Sequence, residues 1–394
     1  MKTLNHSFIA CMAMALFSCL DPFDPNISDS NKEFLVVDGI ITNQPGPYTV
    51  KVAKSTSIEG ESPQLTGMEI SIEEIGGSRE TLIETSNGIY QTQALQGELG
   101  KSYRLNIEYN GSLYQSTWET IHPSPTIDSV YFVSESRGTT DKDNDLDGVQ
   151  FFIDSHGDED GTRYFRYEWD ETWRIGVRWP SFFDYVANDT VVFTSNPRYD
   201  CWKYASPAGI NIATTNGLSK NVLSQHPLGF MTADGERFTR RYSLLVKQYA
   251  LAEKEYLFWK NLQESNEELG SLFDRQPAKV LGNITNTGNS DELILGYFSA
   301  SGVQEQRIFV SPSEVLPSLT LRPPCLDLDS LFKSELGDEY EATLVGELDL
   351  GKYFFDFIYS DFAIEPIGAL VSPSNCSDCT TKGGYLTKPE FWDE

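Results

Sequence analysis

Residues 103–111, YRLNIEYNG, hold the pattern that decides the fold. The odd-numbered residues from Tyr103 to Tyr109 are apolar and alternate with polar ones, which is the period of a strand with one buried face. Asn110-Gly111 follows at once. An Asn-Gly pair after such a segment favours a two-residue hairpin turn, because both turn positions need positive φ angles. The stretch therefore predicts a β-hairpin with one apolar face.

Similar short segments fill the chain on both sides of this hairpin. Strand-like patterns occur at residues 34–41, 48–55, 68–72, 80–84, 88–92 and 112–120. Many short strands separated by turn residues are typical of an immunoglobulin-like β-sandwich, which we predict for residues 33–122. The Cys…Trp…Cys pattern of antibody domains is absent from this segment, so the prediction concerns architecture alone.

Beyond a stiff break at Pro123-Ser124-Pro125, residues 126–394 predict a larger β-rich domain. Within 163–173 the alternation places Phe165, Tyr167 and Trp169 on one face of a strand and the charged residues of 166–170 on the other. Further strands are predicted at 241–250, 292–299, 305–310 and 340–349.

One long helix is predicted at about 252–269, where Phe258, Trp259 and Leu262 fall on one stripe and Gly270 supplies a stop. The fold class is therefore mainly β, with an N-terminal sandwich, a larger β-rich domain and this helix.

The N-terminus carries an apolar run that ends in Leu16-Phe17-Ser18-Cys19. At about ten residues the run is too short to span a bilayer, which takes roughly 20, but it suits a signal peptide. Leucine, a small residue and cysteine form the pattern of a lipoprotein processing site, which predicts cleavage after Ser18 and acylation of Cys19 with palmitate-type chains. Residues 1–18 are then the signal peptide and 19–32 an acidic, proline-rich tether. In the alternative, an ordinary secretory peptide, Cys19 is incidental.

The composition limits the partners. The 394 residues carry a net charge of −28, which argues against nucleic acids and anionic lipid surfaces because both are polyanions. Contact with the membrane is therefore predicted through the lipid anchor alone. Apolar residues make up 39% of the chain, enough to build packed cores.

Four cysteines remain after the signal region: Cys201, Cys325, Cys376 and Cys379. An even number in an exported chain predicts disulfides, with three pairings open. A redox pair at Cys376 and Cys379 is the alternative, but no βαβ pattern surrounds it. A zinc site would need a second close pair of cysteines.

Aromatic residues that depart from regular alternation form a candidate contact site for a ligand or a partner protein. They are Trp173, Trp179, Phe182, Phe183 and Tyr185. Aromatic side chains dominate interface hot spots, although such a group also serves as a lid over a core.

A second candidate is a calcium loop. Asp143, Asp145 and Asp147 have the spacing of the first ligands of an EF-hand loop, and Asp154 falls at the twelfth position. The flanks have the pattern of strands rather than helices, so we favour a solvated acidic loop and predict no metal.

No catalytic constellation is present in the sequence. His122, His156 and His226 each stand beside proline or glycine, and the sequence has no nucleophile elbow, phosphate loop or pair of histidines at metal-ligand spacing. We therefore predict neither enzymatic activity nor a cofactor. Acidic residues are so abundant that a lipid-anchored hydrolase with paired carboxylates stays an alternative.

Several long motifs resemble one known family. They are LVVDGIIT at 35–42, TRYFRYEWDETW at 162–173, LVKQYALAEKEYLFWKNL at 245–262, LGYFSAS at 295–301 and CSDCTTKGG at 376–384. Together they resemble the domain-of-unknown-function family 4249 (DUF4249), outer-membrane lipoproteins of Bacteroidota. The resemblance implies a surface-exposed lipoprotein that assists a TonB-dependent receptor in nutrient uptake, with the ligand unknown. A structural or adhesive surface protein is the alternative. The family resemblance also implies O-glycosylation at Ser129, Thr190 and Ser330, where Asp precedes the Ser or Thr and an apolar residue follows it.

Overall fold

The computed structural model describes residues 33–55, 65–138, 145–186, 190–194, 197–232, 235–267, 280–321, 325, 328–360 and 364–392. Within these residues the protein is mainly β, as the sequence predicts, and its strands form several sheets. The tether, the signal region and Cys19 lie outside the described residues.

The regular elements are as follows. The strands up to residue 120 are β1 (Leu35–Thr42), β2 (Thr49–Lys54), β3 (Glu69–Glu74), β4 (Arg79–Thr81), β5 (Ile83–Ser86), β6 (Ile89–Gln91), β7 (Ser102–Tyr109), β8 (Ser112–Ser116) and β9 (Glu119–Thr120). The next are β10 (Thr126–Arg137), β11 (Leu146–His156), β12 (Tyr164–Gly176), β13 (Phe183–Val186), β14 (Thr190–Phe193), β15 (Asp200–Ala205), β16 (Asn211–Thr214), β17 (Val222–Thr232) and β18 (Tyr242–Ala250). The last are β19 (Ile284–Asn286), β20 (Ile294–Val310), β21 (Asp329–Phe332), β22 (Tyr353–Ile358) and β23 (Gly368–Ser372).

Helical segments are fewer. The α-helices are α1 (Glu253–Glu267), α2 (Lys333–Leu336), α3 (Tyr340–Asp349) and α4 (Ser374–Ser377), and 3-10 turns occupy Pro312–Glu314, Pro317–Thr320, Gly337–Glu339 and Cys379–Lys382. Helix α1 confirms the long helix predicted at about 252–269; Gly270, its predicted stop, lies outside the described residues.

Two sheets enclose the first core in a sandwich-like layout. One contains β1, β2, β6 and β5, and the other has the order β19-β8-β7-β3-β4. Side chains from both sheets, among them Val37, Ile70 and Leu105, form one buried apolar cluster. Asn110 and Gly111 have φ angles of 49° and 79°, so the predicted hairpin turn forms between β7 and β8.

Strand β20 joins the two halves of the chain. Its first half pairs in parallel with β1, and its second half pairs antiparallel with β18. The resulting sheet has the order β15-β12-β18-β20-β1-β2-β6-β5, with β16 beside β12. Gly296 permits the close approach, because a Cβ there would lie 1.8 Å from the carbonyl oxygen of Val37.

The predicted division at 123–125 stays a prediction. The first core also takes Ile284, Ile294 and Phe298, which the sequence assigned to the second domain. The second core lies between the sheet β10-β11-β17 and the strands β12 and β18.

Three predicted strands differ from the structure. The strands expected at 292–299 and 305–310 are one continuous strand, β20. The strand expected at 340–349 is helix α3. Tyr340, Leu344 and Leu348 all contribute to a third apolar cluster, and their spacing of four residues fits both a helical face and every second position of a strand. The period alone could not separate the two.

No helix among the described residues is both long enough and apolar enough to cross a bilayer.

Candidate functional site

A cleft with a volume of about 410 Å³ lies where α1 crosses the large sheet. Its floor is formed by β12 and β18, and residues 38–40 of β1 and the loop 206–210 contribute walls. The loop is tied to the helix, since Gln263 Nε2 donates to the carbonyl oxygen of Ile210 at 3.2 Å. The cleft is therefore bounded by elements from both halves of the chain.

A stacked guanidinium group forms one wall of the cleft. The Cζ atom of Arg166 lies 4.8 Å from the ring centroid of Tyr249 and 4.4 Å from that of Trp259. Its Nη1 atom lies 2.9 Å from Glu168 Oε1. Two aromatic faces and one carboxylate thus fix the position of a single cation, an arrangement in which cation–π attraction is strengthened by partial desolvation.

Two carboxylates follow Arg166 on the same face of β12. Tyr249 Oη donates to Glu168 Oε2 at 2.8 Å, and Asp170 Oδ2 lies 2.8 Å from Lys247 Nζ. Burial by itself would raise the pKa of Asp170, but hydrogen bonds from Lys247 and Ser206 outweigh it and the pKa is lowered. Burial, and then the charge of Glu168, raise the pKa of Tyr249, so its hydroxyl remains a donor.

A third carboxylate, Glu255, belongs to the first turn of α1 and is on the buried face of the helix. It is 1% exposed, and its Oε1 atom accepts from Ser299 Oγ at 2.5 Å and from Trp259 Nε1 at 3.4 Å. Burial raises the pKa of the Glu255 carboxyl to about 7. This group therefore couples the Trp259 wall of the cleft to β20.

The sequence grouped three residues of this site on one strand face but did not assign them a function. The alternation in 163–173 placed Arg166, Glu168 and Asp170 on one face, which the structure confirms. It missed Tyr249, and it assigned Trp259 only to a packing stripe. No local pattern brings β12, β18 and α1 together; the pairing of β12 with β18 across 81 residues does so.

The predicted aromatic contact site is divided between different environments. Trp173 is 6% exposed within the second core, so the prediction that it contacts a partner is wrong. The ring of Trp179 packs on Phe355 with centroids 5.8 Å apart. Phe183 packs on the buried Phe354, while Phe182 is exposed and stacks on another exposed ring. The side chain of Tyr185 lies outside the described residues.

The carboxylates of the calcium candidate are far apart. Asp147 and Asp154 lie on the same extended strand, β11, which separates them by roughly 23 Å at about 3.3 Å per residue. Asp147 receives hydrogen bonds from Ser318 and Ser136 that lower its pKa, and Asp154 accepts from the backbone of Gln225. These two cannot hold one ion with the exposed Asp145, so the EF-hand spacing does not produce a site; Asp143 lies outside the described residues.

The four cysteines form two disulfides. Cys201 bonds to Cys379 and Cys325 to Cys376, with S–S distances of 2.02 and 2.20 Å. Neighbouring cysteines of the C-terminal segment are thus joined to different parts of the chain. Disulfides rather than a redox pair or a zinc site account for all four.

The predicted glycosylation residues differ in accessibility. Ser330 is exposed on β21, whereas Ser129 is half-buried and its Oγ donates to Asp154 Oδ2 at 3.3 Å. The backbone of Thr190 lies in β14, and its side chain is outside the described residues. Modification at these positions stays a prediction.

Comparison with known proteins gives a family but no activity. No curated protein matches the chain. A solved structure, that of a DUF4785 family protein from Legionella pneumophila, aligns with 10% identity and a TM-score of 0.16 over 54% of this chain and 51% of its own. The aligned part thus spans about half of that protein, and the similarity is too low to support a structural argument. Residues 20–307 match the family model described as "Domain of unknown function (DUF4249)". Since this match covers more than half of the 394 residues, the chain belongs to the DUF4249 family.

Proposed function

We propose that the protein is an outer-membrane lipoprotein, anchored through Cys19 at the cell surface, that works with a TonB-dependent receptor in nutrient capture. The processing pattern at residues 16–19 and the proline-rich tether support the anchor. In this proposal the cleft beside α1 is where the nutrient is held before it passes to the receptor.

The cleft is the observation that carries the proposal. Its volume of about 410 Å³ falls in the usual range of small-molecule sites, roughly 300–1,000 Å³. It combines aromatic rings with a few polar groups whose positions are fixed by hydrogen bonds within the chain. Such preorganised polar groups are what give a binding site its specificity.

We propose binding rather than catalysis because the charged groups on the floor of the cleft are held in ion pairs with one another. Arg166 is paired with Glu168, and Lys247 is paired with Asp170. The pKa of Asp170 is lowered, which makes it a weaker base than an ordinary aspartate. The groups are thus arranged to offer hydrogen bonds rather than to exchange protons.

The receptor contact is proposed for the hairpin of β13 and β14. Phe182 and Phe193 are exposed there, Phe193 to 70%, and their rings are stacked with centroids 6.5 Å apart. Exposed paired aromatic rings next to a packed core are characteristic anchors of protein interfaces. This retains part of the contact region that the sequence predicted.

The experiment is co-purification of the tagged full chain from native outer membrane, followed by identification of the bound proteins. A TonB-dependent receptor should be recovered with the parent chain and lost with Phe193→Asp. Leu218→Asp is the matched control, because Leu218 is also exposed but lies in the turn before β17. Recovery of the chain without any such receptor, or equal recovery with Phe193→Asp, would contradict the respective part of the proposal.

A structural or adhesive role is the second candidate. Strand β22 packs against the β13–β14 hairpin through Phe354 and Phe183. Two exposed apolar residues, Tyr359 and Ile364, follow β22 in the chain. Large exposed apolar surfaces mark interaction sites of any kind. Cells without the protein that keep normal nutrient uptake but lose surface attachment would favour this candidate.

A further inference from the structure

We infer that the cleft beside α1 binds a neutral saccharide, a mono- or disaccharide or the end of a longer glycan. The inference rests on the proposed function, since it names the chemical class of the nutrient held there. It follows from the charge balance, the hydrogen-bonding groups and the apolar lining of this one site.

The charge balance disfavours an ionic ligand. Two cations, Arg166 and Lys247, each lie within 2.9 Å of a carboxylate partner, so the floor carries no net charge. A ligand anion would meet Glu168 and Asp170, and Asp38 at the rim adds another negative charge. A ligand cation would meet the positive charges of Arg166 and Lys247, which lie beside the same carboxylates. A neutral polar molecule meets neither cost.

The hydrogen-bonding groups suit hydroxyls. An ionised carboxylate has about four lone-pair positions. Glu168 and Asp170 each accept two contacts from the chain, and both side chains remain more than a third exposed, at 45% and 38%. The unused positions can accept from ligand hydroxyls by charge-assisted bonds. Their side chains stand about 7 Å apart on one strand face, so a ligand with several hydroxyls can engage both.

Part of the remaining lining is apolar. Trp259, Ile40, Pro207 and Ala208 all face the same cavity as the carboxylates. A sugar ring has hydroxyls around its edge and C–H groups on its face, so one ring can satisfy both kinds of surface at once. An aliphatic ligand would leave the unused acceptor positions of Glu168 and Asp170 unfilled, and a purely polar ion would gain nothing from the apolar wall.

The experiment measures binding to the full chain purified in detergent, by calorimetry and by saturation-transfer NMR. The probes are glucose, galactose, mannose, maltose, cellobiose and lactose, with glucuronic acid and glucosamine as charged counterparts. At least one neutral sugar should bind at least about tenfold more tightly than its charged counterpart, a difference of about 1.4 kcal/mol. The affinity for this sugar should change less than about twofold in high salt, because the sugar is neutral and carries no charge for salt to screen.

Substitutions locate the binding. Trp259→Ala should weaken it at least about tenfold, and Ala208→Trp should block it by filling the cleft from an exposed loop, which keeps the test valid if Trp259→Ala fails to fold. Trp118→Ala is the matched control: Arg104 lies over Trp118 at 4.6 Å and bonds to Glu73, so the same trio exists on another surface. Its loss should leave the affinity unchanged.

The outcomes are separable. Binding of charged molecules but of no neutral sugar, or sugar binding that survives both cleft substitutions, would overturn the inference. If the receptor co-purifies while no sugar binds, the inference fails and the proposed function stands. If sugars bind in the cleft and no receptor co-purifies, the inference stands and the receptor role fails.

Discussion

Replacing Glu255 with glutamine should make the protein more stable above neutral pH. Glu255 is buried under α1, and its carboxyl faces Ser299 and Tyr297 of β20, Trp259 of its own helix, Arg166 of β12 and Glu119 of β9. Burial raises its pKa from the ordinary 4.5 to about 7. Glutamine has nearly the same shape, and its amide oxygen can accept the same hydrogen bonds without carrying a charge.

The magnitude follows from the linkage between pKa and stability. A carboxyl whose folded-state pKa is raised contributes stability that is complete below the unfolded-state pKa and is lost as pH rises through the folded-state pKa. For Glu255 this window runs from about 4.5 to about 7. The free energy of unfolding should fall across it by roughly 3 kcal/mol through this one group. Glutamine does not titrate, so Glu255→Gln should match the parent near pH 4 and exceed it by roughly 3 kcal/mol at pH 8.

Urea unfolding followed by tryptophan fluorescence, at several pH values between 4 and 8, measures this difference. The difference between variant and parent isolates Glu255, because every other titrating group is common to both. Glu264→Gln on the same helix is the control. Glu264 is exposed and its ion pair with Lys260 is long, at 3.8 Å, so this substitution should change the free energy of unfolding little. A flat difference curve for Glu255→Gln, or one that rises toward acid, would refute the assignment of a buried, destabilising charge.

Three other expectations concern separate parts of the chain. Cys19→Ser should release the protein from membranes, and its persistence in the outer-membrane fraction after a high-salt wash would show another anchor. Reduction and mass spectrometry should find two disulfides. Replacing Cys201 and Cys379 by alanine should lower the free energy of unfolding in urea by about 5 kcal/mol, and replacing Cys325 and Cys376 by about 4 kcal/mol, because the closed loops span 178 and 51 residues. The reverse order of the two losses would contradict the loop-closure account. The melting temperature should be the same in chelator and in millimolar calcium, whereas a bound ion would raise it by several degrees; a rise that Asp145→Ala abolishes would establish a calcium site.

Local patterns predicted the elements well where the chain alternates or turns sharply. The β7–β8 hairpin and α1 were predicted because alternation, the Asn-Gly turn and an apolar stripe are encoded in neighbouring residues. Helix α3 was missed because Tyr340, Leu344 and Leu348 fit two periods at once. The cysteine pairing was left open for the same reason that the cleft was incomplete: both depend on which distant segments meet.

The cleft beside α1 shows most clearly what local sequence patterns cannot predict. Alternation placed Glu168 on a polar face, but only the pairing of β12 with β18 puts Tyr249 within 2.8 Å of it. The aspartates at calcium-loop spacing are the opposite case, because the sequence pattern is present but the site does not form. An interval typical of metal ligands brings side chains together only if the chain curves. In a straight strand Asp147 and Asp154 move apart, whereas in a loop they would converge.

The parallel pairing of β1 with β20 also constrains the order in which the chain can fold. Asn43, just after β1, bonds to Val303, which is 260 residues later in the chain. Because the chain is synthesised from its N-terminus, β1 can pair with β2 early, but the other edge of β1 stays unpaired until β20 has been made. Unpaired apolar edges invite strands from other molecules. Asp38 places a charge in the middle of the apolar run LVVDGIIT, and such interruptions slow aggregation. We expect this residue, exposed in the finished fold, to matter most during the interval before that fold exists.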